Sequence, residues 1–242
     1  MRESLAAEWL KLRSVRSTYV LLGSVVMVTV LLAAAVGASA SGAHDPVRRN
    51  DLLVGLLGYG LVIYMALSAL SVSQEYSSGT IRTTFGVLPH RGFVVVVKAS
   101  LLAAVCAASA AVLTPVALLV GSAAAGQALE WDGARRLLWG VPVIVGITAV
   151  IAVAVGVLVR RTAIALAIVI IWPLLIEGLT TLVPRFGPRL ATLLPFTNAH
   201  FFLGDSQGLA FAWPPATGLL VFAGVAGMLL GAAVLTVRYR DV

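Results

Sequence analysis

Charge is what this sequence has least of. Only 11% of its 242 residues are Asp, Glu, Lys or Arg, against 60% apolar, and lysine occurs twice, as Lys11 and Lys98. A soluble domain solvates its surface with about 25% charged residues. That shortfall, with a mean hydropathy of +1.02, excludes a water-soluble fold. Cysteine is nearly absent too: Cys106 stands alone inside an apolar run, so no intrachain disulfide and no thiolate cluster can form. The three histidines, His44, His90 and His200, fall in three separate connections. No H-E-x-x-H pattern or paired carboxylates are present to hold a catalytic metal. The scarcity of lysine also removes a nucleotide site. A phosphate-binding loop needs Gly-Lys-Ser or Gly-Lys-Thr, whereas Lys11 follows Leu10 and Lys98 follows Val97. The chain is therefore expected to bind no cofactor and to be no enzyme by itself. The formal charge of +7 gathers at the ends of apolar runs. That placement suits topology signals and lipid headgroups rather than nucleic acid.

What the chain does have is apolar length. A helix needs about 20 apolar residues to cross a hydrocarbon core, and six such runs can be marked: Thr18 to Ser39, Leu52 to Val72, Ala99 to Ala124, Leu137 to Val159, Ala163 to Val183, and Ala216 to Val237. They lack the period-2 alternation of a transmembrane barrel. The reading is an all-α integral membrane protein, one transmembrane domain over residues 1–242. With the N-terminus on the cytoplasmic side of a cell membrane, eleven Lys and Arg fall inside and six outside. Both termini are then cytoplasmic by the positive-inside rule. No cleavable signal peptide is expected; "VGASASGA" after the first run is the alternative cleavage point.

Several local features qualify this plan. In "MRESLAAEWLKLRSVRS", Leu5, Trp9 and Leu12 share one helical face, and Ser4, Glu8 and Lys11 another. With Arg13 and Arg16 alongside, this suits a helix lying on the inner membrane surface; the alternative is a basic lead-in that only fixes topology. Lys98, near the inner end of the third span, is expected to carry its ammonium back to water, and Thr114-Pro115 to kink that span. Arg160-Arg161 makes a tight turn between the fourth and fifth spans. From Pro184 to Pro215 the patches "LLPF", "FFLG" and "LAFAWPP" are too short to span and read as re-entrant or interfacial helices. Gly55, Gly58 and Gly60, and Gly224, Gly227 and Gly231, offer surfaces for close helix approach. Glu177, in "IIWPLLIEGL", is the one acid deep in a span. Intramembrane acids default to function, so it marks a possible substrate path. The alternative is an outer helix end reaching headgroups or Arg185.

The segment "SQEYSSGTIRTTFGVLPHRG", Ser73 to Gly92, is polar between two apolar runs. Ile81, Phe85 and Leu88 form one ridge of a short helix; Glu75, Ser78 and Arg82 form another. Leu88-Pro89 ends it. The alternative is a solvated loop whose charges only set topology.

Together, the basic "EWLKLRS" helix, six spans, "EYSSGTIR" after the second span and an outer re-entrant stretch before the sixth resemble the permease subunit of a type-2 ABC exporter. The resemblance implies that this inner segment is a coupling helix, with Glu75, Tyr76, Ser78, Gly79, Thr80, Arg82 and Thr83 at the contact with an ABC ATP-binding subunit. ATP and Mg would sit on that partner. It also implies a second permease, as a homodimer or with a sister chain, and a hydrophobic or amphipathic substrate such as a lipid, drug or peptide antibiotic. The competing expectations are a proton-coupled transporter using Glu177, and a non-transporting anchor or immunity protein.

Overall fold

In the hydrocarbon layer every backbone N–H must be satisfied within its own segment, which leaves helix as the default for an Ala-, Val- and Leu-rich chain. The computed structural model, which describes residues 2–41, 47–77, 91–128, 134–184 and 186–239, follows this rule. All regular structure among the described residues is helical. Helix α1 (Arg2–Ser14) leads into α2 (Arg16–Ser39). After α3 (Arg49–Leu52), a π-helical segment, Gly55–Gly60, continues into α4 (Leu61–Ser77). Then come α5 (Arg91–Ala125), α6 (Arg135–Val159) and α7 (Thr162–Ile171). A second π-helical segment, Trp172–Ile176, carries α7 into α8 (Glu177–Thr180). Two short helices, α9 (Gly187–Ala191) and α10 (Pro195–Phe202), precede the final α11 (Pro215–Tyr239).

Six of these helical stretches are long and apolar enough to cross a membrane: Arg16–Ser39, Gly55–Tyr76, Gly92–Ala125, Arg135–Val159, Thr162–Thr180 and Pro215–Tyr239. They coincide with the six expected spans, so this is a multi-pass membrane architecture. The third departs most from expectation. Helix α5 begins at Arg91 and has 35 residues, roughly 50 Å of helix at about 1.5 Å per residue. Hydropathy located only its lipid-length part. Pro115 lies within α5 without ending it, and the Thr114 hydroxyl donates to the Ala110 carbonyl at 2.7 Å.

The helix ends follow from local chemistry. At the far end of α5, Gly126 has φ +67, and Gln127 N–H donates to the Ser122 carbonyl and Gly126 N–H to that of Ala123, both at 3.1 Å. This is the glycine-terminated cap that consumes orphan carbonyls. Helix α6 ends less comfortably, on Arg160 at φ 58, a left-handed conformation that few side chains adopt. Arg161 is extended and α7 starts at once, so the expected tight turn is present.

Helices α4 and α6 are the most buried spans, and α2, α7 and α11 the most exposed. The main core gathers Leu53, Leu56, Tyr64, Ile144, Val145 and Phe222, all but excluded from solvent. A smaller core near the α1 end packs Val72, Val94, Leu102 and Val237. Small residues set the closest crossings, as expected between helices in lipid. A Cβ on Gly37 would overlap the Gly121 carbonyl oxygen, so α2 and α5 touch backbone to backbone there. A Cβ on Gly55 would come within 2.8 Å of the Val28 carbonyl oxygen, and one on Gly156 within 3.1 Å of that of Ala69. Gly58 meets only Val54 of its own segment, and Gly224, Gly227 and Gly231 face open space.

Overpacking a closed crossing costs about 1–3 kcal/mol. Gly37→Ala should therefore lower the thermal midpoint of the detergent-solubilised protein. Gly23→Ala, where no atom lies within 4 Å of the added methyl, should not lower it.

Candidate functional site: a lysine–carboxylate ring at the α1 end

The two lysines meet. Lys98, in the second turn of α5, has a side chain only 8% exposed. Its ammonium has three protons to donate and three acceptors in reach: Glu8 Oε2 at 2.8 Å, Glu75 Oε1 at 2.8 Å and the Ser71 carbonyl at 3.3 Å. Lys11 Nζ lies 2.8 Å from Glu8 Oε1 and 3.1 Å from Glu75 Oε1. The four side chains close a ring: Glu8 bridges the lysines through its two oxygens, and Glu75 bridges them through one. Helix α1 is thereby joined to α4 and α5.

The expectation that Lys98 reaches back to water is overturned by this burial. Because α5 starts at Arg91 rather than near Ala99, Lys98 lies inside the helix, beside its counterions. A buried ammonium alone would cost several kcal/mol; with its three donors paired and two carboxylates beside it, the charge is tolerated. The polar face of α1 turns inward to make the ring. Trp9 and Leu10, 48% and 65% exposed, turn outward, and Arg13 and Arg16 are exposed as well. Leu12 packs on the smaller core, on the Glu8 side rather than with Trp9.

The charge balance is visible in the titration of the α1 pair. Burial alone would push the Glu8 carboxyl up, but Lys98 and Lys11 outweigh it and hold it below its ordinary 4.5. Burial alone would push the Lys11 ammonium down, but Glu8 and Glu75 hold it above its ordinary 10.5.

Next to the ring, Tyr76 is half-buried, with the Arg160 guanidinium carbon 5.5 Å from its ring centroid, a cation–π distance. Among the described residues, Arg160 Nε and Nη2, the Tyr76 hydroxyl and the Ser73 hydroxyl are buried without hydrogen-bond partners. Ser73 and Arg160 lie one turn beyond the Ala69–Gly156 approach on α4 and α6. Of the residues expected at a partner contact, Glu75 and Tyr76 are thus engaged within the chain. Ser78, Gly79, Thr80, Arg82 and Thr83 lie outside the described residues, as do Ile81, Phe85 and Leu88.

Glu177 is at the other end of the bundle and does not join this cluster. It is 4% exposed, and four donors occupy its carboxylate: Phe196 N–H at 3.0 Å and Trp172 Nε1–H at 3.1 Å on Oε1, with Thr197 N–H at 2.7 Å and the Thr197 hydroxyl at 2.9 Å on Oε2. Phe196 and Thr197 open α10 behind Pro195. The acid therefore caps that helix from another, meeting first-turn N–H groups at the positive end of the helix dipole. Nothing in the local sequence pattern announced this, because the donors are 19 and 20 residues away. Arg185, the alternative partner, lies outside the described residues. Asn198 secures the same short helix, donating to the Thr192 carbonyl at 2.6 Å and to that of Leu194 at 2.9 Å. No group of three or more His, Cys, Asp or Glu suited to a metal occurs among the described residues.

Removing one member of a buried ion cluster strands the others, at about 3–5 kcal/mol. Lys98→Met should destabilise by that order in chemical or thermal unfolding, and Glu8→Gln added to it should restore part of the loss. The pH dependence follows from the two shifts. Glu8 has a lowered folded value, so its contribution is complete above 4.5 and is lost as pH falls through the folded value. Lys11 has a raised one, so its contribution is complete below 10.5 and is lost as pH rises through the folded value. The stability difference between the wild type and Glu8→Gln should then be flat from about pH 5 to 10 and shrink on either side. At the other end, Glu177→Ala leaves N–H groups of α10 without acceptors and should cost about 1–3 kcal/mol. Glu177→Gln, keeping one oxygen, should fall between it and the wild type in the same melts.

Compared with known proteins, the chain matches no family model and no curated sequence.

Proposed function

We propose that this chain is the permease subunit of a type-2 ABC exporter. It works with a separate ATP-binding subunit and a second permease, and moves a hydrophobic or amphipathic substrate across a cell membrane from its cytoplasmic side. The observation that carries the reading is the ring. Glu75 stands in the last turn of α4 and Lys98 in the second turn of α5, so the ring clasps both stems of the segment between Ser77 and Arg91 and ties them to α1. A coupling helix in that segment needs such stems. Work done on it by a partner must reach several spans together rather than be lost in a loose loop.

Other features support the same reading. Helix α1, with Trp9 and Leu10 outward and Arg13 and Arg16 exposed, suits a helix lying on the inner membrane surface. Helices α9 and α10 suit a re-entrant element. They pack against α8 and α11 respectively, and aromatic contacts support the stretch after them, including Phe201 stacked on Phe211 at 3.7 Å. The sequence offers no lysine for a nucleotide loop. Both Glu177 oxygens are already committed to α10, which favours ATP drive over proton coupling through that acid.

The partner contact is tested in the segment itself. Gly79→Trp should reduce co-purification of a P-loop ATPase from native membranes by about tenfold, equivalent to about 1.4 kcal/mol. A maleimide placed on Thr80→Cys should react from the cytoplasmic side only. Undiminished ATPase association with the tryptophan in place, or labelling of Thr80→Cys from outside intact cells, would sink the assignment.

A further inference from the structure

Of the buried side-chain nitrogens and oxygens that find no hydrogen-bond partner among the described residues, all but Thr29 Oγ1 belong to Ser73, Tyr76 and Arg160. These three residues meet where α4 and α6 end. Gly156 packs on Ala69 and Val72. Helices α4 and α6 run the same way, so Ser73 and Arg160 follow one turn later on the facing sides, and the Arg160 guanidinium lies over the Tyr76 ring. Nε and Nη2 share one edge of the guanidinium, the edge that offers two parallel N–H bonds to a carboxylate. Here that edge is enclosed and idle. The chain also holds Arg160 at φ 58, a conformation that disfavours any residue with a Cβ. An unpaired cationic fork kept in a strained position is half of an ion pair.

The other half is next door. Glu75 precedes Tyr76 in the last turn of α4, and Glu75 and Arg160 both act electrostatically on the Tyr76 hydroxyl. In the ring, Glu75 is the acid that duplicates a contact. Its Oε1 serves both lysines, but Glu8 alone reaches both with its two oxygens, and Lys98 also holds the Ser71 carbonyl. If Glu75 leaves, one N–H of each lysine passes to water. The cavity of about 530 Å³ beside the ring, lined by Lys11, Ser71, Gln74 and Lys98 among others, has room for that water. The sum of charges is the same either way. One arrangement is a neutral ring beside a lone Arg160; the other is a neutral Glu75–Arg160 pair beside a ring with one positive charge.

We propose that Glu75 is a two-position switch, paired with Lys11 and Lys98 in the arrangement described and with the Nε–Nη2 edge of Arg160 in a second one, reached by rotation of the last turn of α4. The first position ties α4 to α1 and α5. The second ties it to the turn between α6 and α7. The last turn of a helix has the fewest backbone bonds to lose, and any pull on the chain beyond Ser77 falls on it first. The switch belongs to this chain alone and does not rest on the exporter reading.

The test uses the full chain in nanodiscs, with isotope-labelled arginine side chains observed by NMR. The Arg160 Nε–H resonance, identified by its loss in Arg160→Lys, reports the fraction of time that the guanidinium spends on a carboxylate. Lys11→Met, which removes a half-exposed partner of Glu75, should raise the ratio of Arg160-paired to ring-paired protein about threefold, the worth of an exposed ion pair. Glu8→Gln, which leaves both lysines dependent on Glu75, should lower that ratio by a similar factor. Glu75→Gln should set the unpaired limit and abolish the response to Lys11→Met. A resonance unmoved by Lys11→Met, or moved the same way by Lys11→Met and Glu8→Gln, would overturn the switch. A resonance that shifts with added phosphate, and still does so in Glu75→Gln, would overturn it in favour of a bound anion.

Discussion

An ammonium inside an apolar bundle is the constraint from which the α1 end of this protein is built. Lys98 is on a spanning helix and almost excluded from solvent. Its charge can persist only if every proton finds an acceptor and negative charge lies close by. The two carboxylates that meet this need come from α1 and α4, which are distant in sequence. The position of α1 is therefore not left to lipid. It is fixed by electrostatics, and the outward face of Trp9 and Leu10 is a consequence of Glu8 facing in. In a chain with only 10 acids among 242 residues, Lys98 also has few alternative carboxylates to pair with. Sparse charge makes ion pairing specific, in the way a lone polar residue can fix register in a helical assembly.

The opposite end solves the reverse problem with different means. Glu177 is a buried acid with no lysine available, and the chain supplies it with the start of a helix instead. Helix α10 has eight residues, too few to be stable in isolation. The acid gains donors and the helix gains a cap, so each makes the other tenable. The π-helical turn at Trp172–Ile176 belongs to the same arrangement. It absorbs Pro173, whose missing N–H would otherwise break the ladder, and its Trp172 donates to the acid.

How much of this was legible in the sequence depended on range. The six spans were read nearly to the residue at several ends, because hydropathy and helix length are local properties that the bilayer enforces. The start of α5 was missed for the same reason. Val94 to Val97 continue the helix past the length that lipid requires, and "Val-Val-Val-Val-Lys" looks like a boundary when it is an interior. Once α5 was cut short, Lys98 became a terminal residue, and its partners could not be inferred. The ring itself left one trace: Glu8 and Lys11, three apart on one helical face, but nothing in α1 pointed to α4 or α5. Glu177 was recognised as exceptional, yet its role depends on N–H groups of a helix that composition alone described only as an apolar patch. Burial of charge was readable as a problem; its solution was long-range and therefore not readable.

The distribution of burial adds a mechanical consequence. Helices α4 and α6 are the most enclosed and pack closely at Ala69 and Gly156, where an added Cβ would come within 3.1 Å of the Ala69 carbonyl oxygen. The ring adds α5 and α1 to this pair at one end. Spans α2, α7 and α11 are held by less buried surface. On the exporter reading, a push between Ser77 and Arg91 then moves a stiff central group, and the adjustment falls to the spans with least to lose. Of these, α7 is tied at its start by the two-residue turn from α6 and at its far end by Glu177 to α10. On that reading, motion of the central group would reach α7 through these two ties.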